Sequence, residues 1–205
     1  MTTLDLHTWK RKKHFEHFNA LLDPYFALTV PIDTTNAYRF AKETNSSFFS
    51  RYLHDCMKAI NAIENFRYRI EGNDINIYDS IHASATLMRS DKTFGFSFIE
   101  FENERSAFYL NVEKEKLRIE NSDDLYPPYN GLDCIHCSAL PWLNFTGHKE
   151  PFSGKNDSVP KIAFGKVEDV NGKKMMNVSI SANHALVDGY HVGLFVDYFQ
   201  KYLNT

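Results

Sequence analysis

Apolar residues recur along this chain with two periods, and the switches between them mark out the elements. In "KKHFEHFNALL", residues 12–22, Phe15, Phe18 and Leu22 fall three or four positions apart, which predicts a short amphipathic helix. "YFALTVPID" reads as a strand and "TTNAYRFAKET" as a helix. Ser46 precedes "SFFSRYLHDCMKAINAI", where Phe49, Leu53, Met57 and Ile60 return to helical spacing, so Ser46 is the expected N-cap. The period then shortens. "FRYRIEGNDINIYD" alternates Ile70, Ile75 and Ile77 around a Gly-Asn-Asp turn, a hairpin pattern. "ASATLM" and "FGFSFIEF" add strands, with Phe94, Phe96 and Phe98 on one face of the second. "ERSAFYLNVEKEKLRIEN" reads as a charged helix with an apolar stripe, and "LDCIHCSALPW" begins as a strand. "KIAFGKVEDVNGKKMMNVSISAN" is a hairpin about Asn171-Gly172. Val192, Phe195, Val196, Phe199, Tyr202 and Leu203 form the stripe of a terminal helix. Strands and helices mix without strict alternation. The expected class is therefore α+β, a large mixed sheet covered by helices.

Composition narrows the function classes. The 205 residues are 43% hydrophobic, with 17 Phe and 11 Tyr, enough for one domain over 1–205 with a sizeable core. The formal net charge is -3, and "WKRKKHF" is the one dense basic cluster, so there is no nucleic-acid footprint. No apolar run reaches the ~18 residues a membrane span needs. "MTTLDLHTWK" lacks a signal pattern, and the reading is a soluble cytoplasmic protein. Cys56, Cys134 and Cys137 are an odd set that argues against a disulfide framework. On a strand, "CIHC" would put Cys134 and His136 on one face and Cys137 on the other. That geometry chelates poorly, so no metal is expected.

The candidate chemistry sits in "SANHALVDGYHVGLF", residues 181–195, where a strand runs into the last helix. One reading is structural: Asp188 caps the helix, Gly189 serves the turn, and His184 is a satisfied core histidine. The other places a neutral imidazole at a rigid strand end, where it takes a proton from a substrate hydroxyl. Asp188 would then orient the site through a cation, and "WKRKKHF" supplies candidates. Spacing alone favours the structural reading.

"HALVDGYHV", "WKRKKHFEHF" and "SALPWLNF" together change that balance, because they resemble the type A chloramphenicol acetyltransferases. The likeness runs from about Leu6 to Tyr202. HxxxDG alone also marks dihydrolipoamide acyltransferases and peptide-synthetase condensation domains; W-x-R-x-x-H-F and S-A-L-P-W make the match specific. The resemblance implies a two-layer α/β sandwich that assembles into homotrimers with active sites at subunit interfaces. It implies acetyl transfer from acetyl-CoA, a co-substrate and not a tightly bound cofactor, to a hydroxyl of chloramphenicol in a ternary complex. It makes His184 the general base, Ser138 the oxyanion donor, and Asp188 and Arg11 a structural pair. By the same resemblance the acceptor pocket falls on His17, Phe18, Leu22, Pro24, Phe26, Phe94, Phe96, His148 and Glu150, and Trp142 and Lys166 border the CoA tunnel.

The chain departs from that pattern in several places. Asn183 replaces the first of two histidines, Ala163 replaces a water-holding Thr, and Val167 replaces a Tyr beside Lys166. His17, His148 and Glu150 are polar where relatives are apolar, and Phe96 stands where a small residue is usual. These changes keep open the same chemistry on another small hydroxyl or amine acceptor. Ala163 and Asn183 keep open a non-catalytic trimer that binds a small molecule.

Overall fold

The computed structural model describes residues 1–154 and 156–205. In chain order the elements are β1 (Thr2–Thr3), α1 (Lys12–Asn19), β2 (Tyr25–Asp33), α2 (Thr35–Glu43), α3 (Phe48–Asn61), β3 (Tyr68–Glu71), β4 (Asp74–Ile77), β5 (His82–Met88), β6 (Phe94–Phe96), α4 (Arg105–Glu120), β7 (Cys134–Ala139), β8 (Lys161–Val170), β9 (Lys173–Asn183) and α5 (Gly189–Leu203). A six-stranded mixed sheet runs β2-β9-β8-β7-β5-β6, and a small sheet runs β1-β4-β3. The expected α+β class with a large mixed sheet is what the chain forms. No helix among the described residues is long and apolar enough to cross a membrane.

Three boundaries differ from the sequence expectation. Helix α1 stops at Asn19, and Leu22 lies beyond it, 97% exposed. Ser47 rather than Ser46 caps α3: its Oγ accepts from the Ser50 N–H at 3.2 Å. "FGFSFIEF" pairs as a regular strand only over 94–96. Beyond it the Ser97 hydroxyl takes up the backbone of β5, accepting from Ala85 N at 3.0 Å and donating to Ala85 O at 2.9 Å.

The two faces of the large sheet divide by chemistry. Residues paired directly across strands share a face. One face carries Ala85, Cys137, Ile162, Phe164, Val178 and Ile180, all buried. This face joins Leu53 and Met57 of α3 and Phe195 and Phe199 of α5 in the hydrophobic core. The other face carries Ser84, His136, Lys161 and Ser181 in one cross-strand row and Ser138, Ala163 and Ser179 in the next. That small, polar face is where chemistry can be housed.

Two turns place the site. Asn171 (φ 53°) and Gly172 (φ 78°) are both left-handed, the conformation a two-residue hairpin loop needs. Beyond β7 the chain folds back over β8, with Leu140 N–H bonding Phe164 O and Lys166 N–H bonding Leu143 O, each at 2.8 Å. A Cβ at Gly165 would lie 3.0 Å from Asn177 O and 3.3 Å from Leu143 O, a tight fit that favours glycine here.

A buried charge network anchors α3 in the core. Arg51 Nε bonds Asp55 Oδ2 at 2.7 Å with both side chains shut from solvent, and His54 Nδ1 lies 3.2 Å from Asp55 Oδ1. An ion pair so buried fixes the helix in place more than it adds net stability.

Candidate active site

His184 follows the last residue of β9, and its ring is held from several sides. Phe18 of α1 stacks on it at 4.0 Å between centroids with an interplanar angle of 6°. Phe26 of β2 tilts against it at 4.6 Å. The His184 backbone N–H bonds Pro24 O at 2.9 Å. Nδ1 stands 3.3 Å from Asp188 Oδ1. Among the described residues buried Nδ1 has no hydrogen-bond partner, so Asp188 acts there as a nearby negative charge, and the open edge of the ring carries Nε2. The side chain is 33% exposed, so one edge of the ring faces outward.

Arg11 and Asp188, 177 residues apart, form an ion pair through Nη1 and Oδ2. Arg11 Nη2 also donates to the His184 carbonyl at 3.4 Å. The Asp188 carboxylate is thus directed at Arg11 and His184. The N-terminus of α5 has a reciprocal bond instead, with the Asp188 N–H donating to His191 Nδ1 at 2.9 Å.

That bond requires a neutral His191. Burial, followed by the positive charge of Arg11, lowers its pKa. A pKa depressed by folding contributes stability that is present above the unfolded value of about 6.5 and is lost as pH falls through the folded value. Acidification below about pH 6.5 should therefore loosen the start of α5 and the Asp188 carboxylate with it. We expect His191→Ala to cost about 1 kcal/mol at pH 8 and to flatten the acid limb of the melting temperature between pH 7 and 5. An unchanged acid limb in the variant would show that His191 is not the group responsible.

Asn183 supplies a further clamp that spacing did not reveal. Its Nδ2 donates to Asp157 O and its Oδ1 accepts from Ala185 N–H, both at 2.9 Å. Leu186 and Val187 N–H both bond its carbonyl at 3.0 Å. The turn that carries His184 is closed by this side chain, which is 2% exposed.

Ser138 belongs to a different place. It lies in the wall of a cavity of about 1170 Å³, together with Phe94, Phe96, Trp142, Glu150 and Lys161. His184 does not line that cavity. Ser138 pairs with Ala163, and Ala163 with Ser179. His184 lies five residues beyond Ser179, so two strand spacings and five residues separate it from Ser138, roughly 19 Å.

The candidate residues therefore fall into two groups. Arg11, Phe18, Pro24, Phe26 and Asp188 gather at His184, with His17 packed edge-on to Phe18. Ser138, Phe94, Phe96 and Trp142 gather in the cavity. Half-buried His148 and Glu150 lie 3.7 Å apart, and Glu150 also borders a smaller pocket beside Phe26. Lys166 is exposed, 3.7 Å from Glu168, and is not part of the cavity wall; Leu22 touches neither group's core. The three cysteines are free and buried, and burial raises the pKa of each thiol.

Comparison with known proteins gives this arrangement its context. A family model described as chloramphenicol acetyltransferase matches residues 1–200. A chloramphenicol acetyltransferase of Klebsiella sp is 27% identical over 204 residues, covering 98% of this chain and 93% of that one. A solved chloramphenicol acetyltransferase superposes with a TM-score of 0.89 at 25% identity, covering 98% of this chain and 100% of that one. The structure of a probable dihydrolipoamide acetyltransferase from Listeria monocytogenes reaches a TM-score of 0.67 at 15% identity, covering 93% of this chain and 88% of that one, a likeness of fold alone.

Proposed function

Because the chain belongs to the chloramphenicol acetyltransferase family, we propose that it is an acetyl-CoA-dependent O-acetyltransferase acting on chloramphenicol, with residues 1–205 as one acyltransferase domain. The observation that carries the reading is His184 itself. Its ring is packed by Phe18 and Phe26 beside the Asp188–Arg11 pair, with one edge left open.

The chemistry follows from that edge. His184 Nε2 takes the proton of the acceptor hydroxyl as its oxygen attacks the thioester carbonyl of acetyl-CoA. Negative charge moves onto the carbonyl oxygen, and the Ser138 hydroxyl donates to it. Collapse expels the thiolate of CoA, which receives the proton back from His184. The acetyl group leaves on the acceptor oxygen, and no acyl-enzyme forms. Asp188, its negative charge shared with Arg11, stands 3.3 Å from Nδ1 of the ring that carries the proton midway.

Ser138 and His184 of one chain are too far apart to act on one carbonyl, so the working site takes one residue from each of two copies. A homotrimer with a site at each interface meets this need. Strand β2 supports it: it is the sheet edge next to His184, and Leu21, Leu22 and Leu28 are exposed around it. Trp142 borders the cavity where acetyl-CoA and acceptor would meet, and exposed Lys166, whose backbone N–H bonds Leu143 O next to Trp142, would contact the CoA moiety. The protein acts in the cytoplasm on this reading.

Release of free thiol from acetyl-CoA tests the proposal directly. We expect brisk release that depends on chloramphenicol. A specificity constant far below ~10⁴ M⁻¹s⁻¹ would move the reading to another small alcohol or amine, a shift that half-buried His148 and Glu150 favour. Binding of acetyl-CoA with no turnover of any acceptor would leave a small-molecule binder.

A further inference from the structure

We propose that Lys161 is a specificity-determining residue of the acceptor cavity, donating a hydrogen bond to a neutral carbonyl oxygen on the acceptor. Assigning the cavity to an acceptor rests on the function proposed above.

Register places this lysine next to the reacting centre. Lys161 pairs directly with His136, and Ser138 is two residues along the same face. The Cα atoms of Lys161 and Ser138 are thus one strand spacing and two residues apart, roughly 8 Å. Both residues border the same cavity.

Donor capacity is left over at this point. The Lys161 side chain is 6% exposed, and an ammonium has three N–H donors. Among the described residues its one hydrogen bond goes to Asp157 Oδ2 at 2.7 Å. The Tyr25 ring, 4.0 Å from Nζ, covers another side. Asp157 has no such reserve, because it also accepts from Tyr25 Oη, Ser153 N and Ser153 Oγ. Burial would raise the Asp157 pKa, but the bonds from Lys161 and Ser153 outweigh it and hold it at about 2. The carboxylate is ionised and fully used, while the lysine still has a proton to share.

Charge selects the ligand. The Lys161–Asp157 pair is neutral as a unit, and of the other charged side chains lining the cavity Lys116 is outnumbered by Glu113, Glu120 and Glu150. An added carboxylate meets no net positive site there. A neutral amide or ketone oxygen takes the lysine N–H without adding charge to a buried place. The ligand class is thus a small hydroxyl compound that also carries a neutral carbonyl oxygen. Chloramphenicol, an amide, belongs to it.

Trp142 borders the cavity, so its fluorescence reports ligand binding without acetyl-CoA. The two probes are chloramphenicol and its thioamide, in which sulfur replaces the carbonyl oxygen and accepts hydrogen bonds poorly. The wild type should bind the thioamide about tenfold more weakly. In Lys161→Met, chloramphenicol should bind about tenfold more weakly and the ratio of the two ligands should fall to near one. Removing Lys161 alone leaves Asp157 buried without a counter-ion, so the Asp157→Asn, Lys161→Met double variant is measured alongside. A ratio unchanged from wild type in the variants, or no saturable binding of either probe to the wild type, overturns the proposal. Thiol release from the same samples separates the two readings. Oxygen-dependent binding without release would sink acetyl transfer and keep Lys161. Release with an unchanged ratio would keep acetyl transfer and sink Lys161.

Discussion

Replacing His184 with alanine should lower kcat for acetyl transfer by about 10³-fold while leaving KM for acetyl-CoA within a few-fold of wild type. The size follows from the step removed. An acceptor hydroxyl is a poor nucleophile unless its proton is taken as the new bond forms, and a positioned base contributes typically 10²–10⁴ to such a step. A 10³-fold loss corresponds to about 4 kcal/mol of activation free energy. The loss should not come from unfolding. His184 is outside the hydrophobic core, and its backbone N–H bond to Pro24 does not involve the ring. The turn is closed by Asn183, which stays in place. Circular dichroism and the melting temperature of the variant should match wild type closely. A His184→Ala protein that acetylates at the wild-type rate would remove the base from the mechanism.

The pattern of apolar positions already held most of the fold. Strand β2 runs over the nine residues of "YFALTVPID", and the β8–β9 hairpin turns at Asn171-Gly172. Both are local signals: alternation needs only one buried face, and the turn needs only its own two residues. Caps are less legible. Ser46 and Ser47 are both competent, and the backbone of Ser47, extended at φ -71° and ψ 118°, is what selects it. The site was legible where its parts have a fixed spacing, as in "HALVDG". The Arg11–Asp188 pair spans 177 residues, and no local pattern encodes it; the resemblance to a known family did. Lys161 opens "KIAFG", and nothing in the spacing singles it out. Its burial depends on Asp157 and on Tyr25, which reaches it from β2 across β9. Asn183 reads as a missing histidine, yet its amide closes the turn with two hydrogen bonds. Leu22 shows the converse. The helical spacing placed it with Phe15 and Phe18, but in one chain it is 97% exposed.

On the interface site proposed above, two inactive variants, Ser138→Ala and His184→Ala, should restore each other when assembled together. Ser138→Ala alone should lose about 10²–10³ in kcat, the usual effect of removing an oxyanion donor. Within one chain the two residues lie roughly 19 Å apart, whereas the attacked carbonyl must sit within hydrogen-bond reach of both the donor and the incoming oxygen. On the proposed reading each working site takes Ser138 from one copy and His184 from its neighbour. In a mixed cyclic trimer, a site is intact when its serine comes from a His184→Ala subunit and its histidine from a Ser138→Ala subunit. Equal random mixing makes about a quarter of the sites intact. Co-expressed or co-refolded variants should recover about a quarter of wild-type activity, at least ten times the sum of the two alone. Mixing already assembled variants should recover little until subunits exchange, which ties the recovery to assembly. If co-refolding returns only the sum of the two residual activities, the site lies within one chain. The separation of Ser138 from His184 would then have to close by movement of the chain itself.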